Sequence, residues 1–340
     1  MGPIPIAVDI MGGDNAPGNI LEGVCEALDH YGDTYHLHLV GDADQISAGL
    51  SRLGKLGDAR LTVVPTTAVI EMGEHPAMAI RGKPQASICV AADLVKKKTV
   101  QGFFSAGNTG AAVGASYLKW RMLPGLERPA LATVFPSETG RFIFLDSGAT
   151  VDCTPLILTQ FAIMGDIYAR MVLKKQNPAV GLLCNGTEEG KGIHLTQETF
   201  KMLREVPGLN FIGNVEGHDL FSGKVDVVVC DGFVGNVVLK VCEQLAKSMG
   251  RMMKKKFMER TIWKLGAFLA RGAFAECKKA MDASEVGGSP LLGVDGVCVI
   301  GHGNSNAKAV RNGIRVVGEM IAHNTNDNIV KLVKEYGLLQ

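Results

Sequence analysis

No run of apolar residues in the 340-residue sequence approaches the length of roughly 18 that a bilayer-spanning helix needs. The first residues lead straight into an apolar segment, without the charged region that opens a secretory signal. Eight cysteines are present, but no two of them form a Cys-x-x-Cys pair. Their positions inside apolar runs are typical of reduced core cysteines. We therefore expect a soluble, cytoplasmic protein.

Several common catalytic signatures are also missing. The sequence has no His-Glu-x-x-His motif and no Cys/His cluster with zinc spacing. It has no Gly-x-Ser-x-Gly elbow, which argues against a serine hydrolase. We expect neither a metal nor a cofactor. Magnesium remains an alternative because aspartates near expected strand ends could bind it, although aspartate also caps turns there: Asp9, Asp14, Asp146, Asp226 and Asp231.

The composition is that of an ordinary globular protein, with 46% hydrophobic and 20% charged residues. A net charge of +1 gives no indication of nucleic-acid binding, and we expect none. The 42 glycines lie mainly in turns that follow apolar runs. The length allows two domains or one large α/β unit. We expect one catalytic unit over residues 1–340, which two lobes could divide.

Strand-like and helix-like segments alternate along the chain. Strands are expected near residues 4–10, 35–40, 61–65, 100–104, 131–135, 142–146, 179–184, 210–212, 225–230 and 297–300. Helices are expected near 19–31, 44–53, 85–98, 109–121, 154–172, 196–205, 234–256 and 304–322. This alternation predicts a three-layer α/β/α fold, in which a mostly parallel sheet has helices on both faces.

Polar, glycine-rich turns follow many of the expected strands. Ligands of such sheets bind beyond the carboxyl ends of the strands. One turn of this kind would be ordinary, but six on one edge favour a shared site. The six turns are residues 9–15, 105–110, 146–149, 185–192, 231–236 and 301–306.

The turn from Ser105 to Gly110 joins an apolar strand to a helix of small residues. Gly107 and Gly110 permit close approach of the backbone. The spacing matches neither the dinucleotide-binding nor the Walker motif. The first turn of the helix presents unpaired N–H groups, which predicts a site for phosphate or an oxyanion. The alternative is an ordinary turn between a strand and a helix.

Two further segments are rich in positive charge. Arg81 and Lys83 precede an expected helix, and they either serve an anionic substrate or are simply solvated. Residues 240–282 hold eleven Lys and Arg against four acids, a net charge of +7. Apolar side chains in this segment recur at helical spacing beside a lysine cluster: Lys254, Lys255, Lys256, Ile262, Trp263, Leu265, Phe268 and Leu269.

A basic amphipathic helix of this kind suits an anionic surface, either lipid headgroups or an acidic protein. The alternative is a helix that packs its apolar stripe on the core or on a dimer partner. The sequence does not choose between them.

Four of the glycine-rich motifs, taken together, closely resemble the bacterial phosphate acyltransferase (PlsX) family of phospholipid synthesis. The resemblance runs from residue 6 to about 320, and its motifs are residues 7–17, 105–110, 185–192 and 231–236. It implies transfer of a long-chain fatty acyl group from acyl carrier protein to inorganic phosphate, which gives acyl phosphate. It also implies a fold related to phosphotransacetylases and isocitrate dehydrogenases, a homodimer, and peripheral attachment to the cytoplasmic membrane.

Under this resemblance, Lys191 matches the family's catalytic lysine, whose ammonium group holds phosphate or stabilises the oxyanion. His302 is a candidate proton donor to the leaving thiolate. The phosphate cradle would consist of Ser105, Gly107, Asn108, Thr109 and Gly110, completed by Gly235 and Asn236, with Arg81 and Lys83 as secondary cations. The alternatives are a surface lysine, a structural histidine and a helix N-cap.

Three other functions compete with this hypothesis. A phosphotransacetylase would use the same cradle on a coenzyme A thioester, but it would not need the basic amphipathic helix. A dehydrogenase of the related fold would need clustered arginines and an acidic metal site, which we cannot assemble from the sequence. A membrane-associated scaffold without catalytic activity would leave the six glycine-rich turns without a purpose.

Overall fold

The computed structural model describes residues 2–336 of the chain. These residues form twelve strands: β1 (Ile4–Asp9), β2 (Tyr35–Gly41), β3 (Leu61–Pro65), β4 (Gly102–Ser105), β5 (Ala130–Leu131), β6 (Thr133–Ser137), β7 (Gly140–Leu145), β8 (Val180–Leu183), β9 (Phe211–Val215), β10 (Val227–Val229), β11 (Ser289–Leu292) and β12 (Val297–Ile300).

The same residues form twelve α-helices: α1 (Gly18–Tyr31), α2 (Ala43–Arg52), α3 (Pro76–Gly82), α4 (Ser87–Lys96), α5 (Thr109–Trp120), α6 (Pro155–Leu173), α7 (His194–Glu205), α8 (Gly232–Glu259), α9 (Thr261–Leu269), α10 (Arg271–Ala280), α11 (Ala307–Ala322) and α12 (Thr325–Glu335). Short 3-10 turns lie at Gly32–Thr34 and Ala283–Glu285. The expected alternation of strands and helices is therefore present.

The strands form two sheets. The first has the order β3-β2-β1-β4-β12-β11-β5, and its first five strands are parallel. The second has the order β6-β7-β10-β8-β9, in which only β6 is antiparallel to its neighbour. Helices cover both faces of the first sheet, because Val8 packs in the core with α1 and α11 while Ala7 packs with α4 and α5. The predicted three-layer, mostly parallel α/β/α fold is confirmed.

The sequence predicts that the six glycine-rich turns lie on one edge of a single sheet. The division into two sheets shows that this expectation is wrong. The strand expected at 131–135 is split at Ala132: β5 belongs to the first sheet and β6 to the second. The turns after β1, β4 and β12 therefore lie at strand ends of the first sheet, and those after β7, β8 and β10 lie at strand ends of the second. No turn residue marks Ala132, so local sequence patterns gave no reason to divide this segment.

Helix α6 contradicts the expectation that no apolar segment is long enough to span a bilayer. By length and composition it could cross a membrane, with a mean hydropathy of 1.4 over its most apolar window. However, 72% of that window is buried inside the protein. Its residues Leu158, Phe161 and Ile167 pack in the core that spans both sheets. Helix α6 therefore has the environment of a core helix.

The basic segment makes up most of α8 together with α9 and α10, and little of it packs on the core. Helix α8 has only two buried residues, Gly232 and Gly235, whereas α9 and α10 have none. Large apolar side chains in the segment are exposed, including Ile262 at 73% and Leu269 at 75%. Packing of the whole segment on the core of its own chain, one of the alternatives from sequence, is therefore wrong.

The buried carboxylate of Asp146 holds the two sheets together where the chain passes between them. Its Oδ1 atom accepts hydrogen bonds from the backbone N–H groups of Leu131 at 2.8 Å, Gly148 at 3.0 Å and Ala149 at 3.0 Å. Its Oδ2 atom accepts another from Thr150 at 2.6 Å. Since Leu131 belongs to the first sheet and Asp146 follows β7 of the second, these bonds fix the junction.

We expect Asp146→Ala to reduce the free energy of unfolding by about 3 kcal/mol or more, because it leaves several buried N–H groups without acceptors. Urea denaturation would measure the loss. Asp152→Ala is the matched control, since Asp152 is exposed and lies six residues further along the chain. Equal stability of the two variants would contradict the role given to Asp146.

Candidate functional site

The turns after β1 and β4 meet at a buried pair of side chains. The Ser105 hydroxyl donates to Oδ2 of Asp9 at 2.7 Å and accepts a hydrogen bond from the Gly107 N–H at 3.0 Å. Both side chains are buried. Burial raises the pKa of Asp9, although hydrogen bonds from Ser87 and Ser105 oppose this effect. The Ser105 hydroxyl is therefore engaged inside the loop, and it supports the turn rather than facing a ligand.

Close backbone contact joins these turns to the one after β12. A Cβ atom on Gly12 would lie 2.8 Å from the Gly107 nitrogen, so that a side chain there would separate the two loops. The Asp14 N–H donates to the carbonyl oxygen of Gly303 at 2.7 Å. The three turns of the first sheet therefore form one compact surface made largely of backbone.

Asn108 is committed to the structure of this surface. Its Oδ1 atom caps α5 by accepting a hydrogen bond from the Ala111 N–H at 3.0 Å. Its amide nitrogen donates to the carbonyl oxygens of Glu71, Met72 and Glu74 at 3.1 to 3.3 Å. The side chain expected to bind phosphate therefore holds the loop at residues 71–74 against α5.

The exposed part of the Ser105–Gly110 turn is its last portion. Thr109 is exposed and Gly110 is half-buried, at the first turn of α5. A Cβ atom on Gly110 would lie 2.5 Å from Cγ of Pro76. The backbone N–H groups of this first helical turn remain the natural anion-binding element of the surface.

The two secondary cations differ in their surroundings. Lys83 donates to Glu74 at 2.6 Å and to the carbonyl oxygen of Val69 at 2.9 Å, so its ammonium group fastens the same loop. Arg81 is exposed, and it forms no ion pair with any residue in the range 2–336. Only Arg81 keeps a charge that a substrate could use.

In the second sheet, the start of α8 packs directly on the turn after β7. A Cβ atom on Gly235 would lie 1.8 Å from the carbonyl oxygen of Asp146, so only glycine allows this packing. The N-cap of α8 is Asp231, which accepts from the Val234 N–H at 2.9 Å. Asn236 is exposed and lies beside Gly148. The alternative that Gly235 or Asn236 caps the helix is therefore wrong.

Lys191 lies in the turn after β8, the strand next to β10. Its side chain is exposed, and its stem passes over Gly186, where an added Cβ atom would lie 2.7 Å from Cγ of the lysine. Within the described part of the chain its ammonium group forms no ion pair. Strand pairing places Leu182 beside Val229, so the turn that carries Lys191 and the start of α8 that carries Asn236 follow adjacent strand ends.

Helix α8 contacts turns of both sheets. One is the turn after β12, in the set after β1, β4 and β12 of the first sheet, and the other is the turn after β7, in the set after β7, β8 and β10 of the second. Glu243 of this helix lies 3.2 Å from Nε2 of His302, in the turn after β12, and 3.5 Å from the ammonium group of Lys240. Residues 236, 240 and 243 follow helical spacing and share one face. Lys240 and Glu243 were not among the expected site residues, although their spacing from Asn236 could have indicated them.

The surroundings of His302 favour its neutral form. Burial lowers the pKa of His302; Glu243 opposes this shift, and the positive charges of Lys240 and Lys247 add to it. The side chain itself is 45% exposed. A neutral imidazole at pH 7 fits a hydrogen-bonding role better than a role as the proton donor expected from sequence.

Four of the five aspartates suggested as magnesium ligands have other partners. Asp9, Asp146 and Asp231 accept the hydrogen bonds described above, and Asp226 precedes β10 and pairs with Lys175. In residues 2–336, no group of three or more His, Cys, Asp or Glu side chains lies close enough together to hold a metal ion.

The overall arrangement resembles solved structures of phosphotransacetylases. A phosphotransacetylase from Streptococcus pyogenes matches with a TM-score of 0.64 at 15% identity, covering 94% of each chain. EutD phosphotransacetylase from Staphylococcus aureus matches with a TM-score of 0.61 at 13% identity, also covering 94% of each chain. At these identities the likeness concerns the fold alone.

Sequence comparison is more specific. The family model described as fatty acid synthesis protein matches residues 4–328. A phosphate acyltransferase from Geotalea uraniireducens is 46% identical over 330 residues, which cover 97% of this chain and 94% of that relative. One from Acidobacterium capsulatum is 46% identical over 324 residues, or 95% of each. The chain therefore belongs to the fatty acid synthesis protein family and is an acyltransferase, as these relatives are.

Proposed function

We propose that this protein transfers a long-chain fatty acyl group from acyl carrier protein to inorganic phosphate and releases acyl phosphate for phospholipid synthesis. The observation that carries the proposal is the joining of two sets of turns by α8. One set offers helix N–H groups near Thr109, and the other offers the side chains of Lys191 and Asn236. This combination suits an anionic nucleophile and a developing oxyanion.

In this mechanism phosphate binds at the first turn of α5, where Thr109 and Gly110 are accessible. Ser105, Gly107 and Asn108 shape that turn without contacting the substrate. One phosphate oxygen attacks the carbonyl carbon of the thioester, forming a tetrahedral intermediate. The intermediate collapses as the carbon–sulfur bond breaks, and the carrier leaves as a thiolate.

Lys191 and Asn236 stabilise the negative charge on the former carbonyl oxygen. The thiolate needs little help in leaving because an ordinary thiol has a pKa of about 8.5. Neutral His302 is therefore assigned a hydrogen-bonding role at the edge of the site, where it contacts Glu243. Arg81 supplies additional positive charge for the approach of phosphate.

Phosphotransacetylase activity on a coenzyme A thioester is the second candidate, because the fold is shared with that class. The deciding assay uses the purified protein with palmitoyl acyl carrier protein, or acetyl-coenzyme A, and inorganic phosphate. Thiol release would be followed, and acyl phosphate would be trapped with hydroxylamine. We expect phosphate-dependent release from the carrier. Release from acetyl-coenzyme A alone would favour the second candidate.

We expect Lys191→Ala to lower kcat at least about tenfold, since it removes roughly 1.4 kcal/mol or more of transition-state stabilisation. The thermal unfolding midpoint should stay the same, because the side chain is exposed. Lys201→Ala is the matched control: Lys201 is also exposed, and it pairs with Glu198 on α7 at 2.8 Å. Equal rates for both variants would remove Lys191 from the mechanism.

We also propose that α9 attaches the protein to the cytoplasmic face of an anionic membrane. Ile262, Leu265 and Leu269 lie at helical spacing and are at least 59% exposed. Arg260 and Arg271 stack on the rings of Trp263 and Phe268, each at 4.5 Å, which keeps positive charge beside the apolar side chains. The exposed lysines 254–256 add to that charge.

A second copy of the chain is the proposed partner of the apolar stripe on α8. Its members follow one face of the helix over five turns, and all are exposed: Val234, Val237, Val241, Leu245, Met249 and Met252. Pairing of two such stripes would give a symmetric homodimer and remove these side chains from water.

Membrane attachment predicts the behaviour of the double variant Ile262→Glu/Leu269→Glu. We expect its co-sedimentation with phosphatidylglycerol vesicles to fall at least about tenfold, because a single buried Ile or Leu contributes roughly 1.5–3 kcal/mol. Leu56→Glu is the control, since Leu56 is 62% exposed and lies outside the segment. Unchanged binding by the double variant would contradict the assignment of α9.

A further inference from the structure

We propose that a basic hollow between α10 and α11 is the docking site for the acidic surface of the acyl carrier protein. The inference rests on the proposed function and locates the surface that its protein substrate uses. The hollow has a volume of about 540 Å³. Its charged lining consists of Lys278, Lys279, Asp282, Glu285, Lys308 and Arg311.

The charges of the hollow do not cancel. Lys308 neutralises part of the negative charge, because its ammonium group lies 2.7 Å from Glu285 and 3.2 Å from Asp282. Lys278 and Lys279 are exposed, and neither forms an ion pair with another residue in the range 2–336. The hollow therefore keeps two positive charges that a partner could neutralise.

Arg311 adds a guanidinium group to the lining of the hollow, and 24% of its side-chain surface is exposed. Its Nη1 atom donates to Glu26 at 3.3 Å, but its Nε atom is buried without a hydrogen-bond partner in the described part of the chain. A carboxylate or phosphate group in the hollow would bring acceptors next to this guanidinium group.

The chemistry of the hollow favours a soluble acidic protein over a lipid surface. Its one uncharged lining residue is Ala275, so the hollow presents no large apolar side chain to a lipid. The exposed apolar side chains that suit a membrane lie on α9 instead, at Ile262, Leu265 and Leu269. The basic segment therefore has two chemically different surfaces, and each matches one of the two anionic partners considered from sequence.

The position of the hollow suits delivery of the acyl group. Lys308 lies in the first turn of α11, six residues after His302. Six residues span at most about 22 Å even when fully extended. A carrier docked at the hollow would therefore lie within that distance of His302, in the turn after β12 that borders the site.

The test uses the double variant Lys278→Glu/Lys279→Glu of the full chain. We expect the KM for palmitoyl acyl carrier protein to rise at least tenfold, with kcat and the KM for phosphate unchanged within twofold. The Kd for fluorescently labelled holo carrier, measured by anisotropy, should weaken by a similar factor. For the wild-type protein both constants should increase with KCl concentration, and for the variant this dependence should be weaker.

Two controls make the result specific. Lys96→Glu/Lys97→Glu introduces the same change of charge at exposed lysines at the end of α4, and it should leave the KM for the carrier unchanged. Lys278→Gln/Lys279→Gln removes the charges without adding new ones, and it should give a smaller increase in the same direction. Circular dichroism checks that each variant is folded.

An unchanged KM and Kd for the carrier in the charge-reversal variant would overturn the proposal. If that variant instead lost binding to phosphatidylglycerol vesicles, the hollow would be a headgroup site. Failure of the proposed reaction is distinguishable, because anisotropy measures docking without turnover. A wild-type protein that binds carrier through these lysines but releases no thiol would retain the docking site and exclude the reaction.

Discussion

The four hydrogen bonds accepted by Asp146 are the constraint on which the rest of the site depends. They hold the end of β7 against β5, at the point where the chain leaves one sheet and enters the other. The turn that they shape also provides the carbonyl oxygen against which Gly235 packs. A change at this carboxylate would therefore alter the junction of the sheets and the start of α8 together.

Much of the site consists of backbone rather than side chains. Gly12 and Gly107 allow the turns after β1 and β4 to touch, and the polar side chains next to them, Ser105 and Asn108, are used to hold the loops. In the proposed mechanism, such a surface would bind phosphate through N–H groups whose positions are fixed before the substrate arrives. Little reorganisation is then needed when charge develops during the reaction.

The fold could be predicted from sequence because apolar periodicity and turn chemistry are local properties. The strands ending at Asp9 and Ser105, and the helix beginning at Thr109, were recognisable in this way. The split at Ala132 could not be predicted, since it depends on which distant strands pair with β5 and β6. Strand β11 was also missed, because its four residues include Pro290 and follow two glycines.

The same distinction applies to individual site residues. The type and spacing of residues 105–110 predicted an anion-binding turn, but not that Ser105 would donate to Asp9, 96 positions earlier in the chain. Likewise, the contact between Glu243 and His302 joins residues that are far apart in sequence. Hydrogen bonds of this kind are decided by the packing of whole elements, which no local pattern contains.

Helix α8 is 28 residues long, or about 42 Å at 1.5 Å per residue. The contacts of α8 with the turns after β7 and β12 lie in its N-terminal half, at Gly232, Gly235 and Glu243. Its C-terminal end leads into α9, which has no buried residue. Asn236 lies close to these contacts, whereas the C-terminal end of the helix lies far from them. If the helix pivots as a rigid body about these contacts, a displacement of several ångströms at its outer end corresponds to a much smaller movement at Asn236.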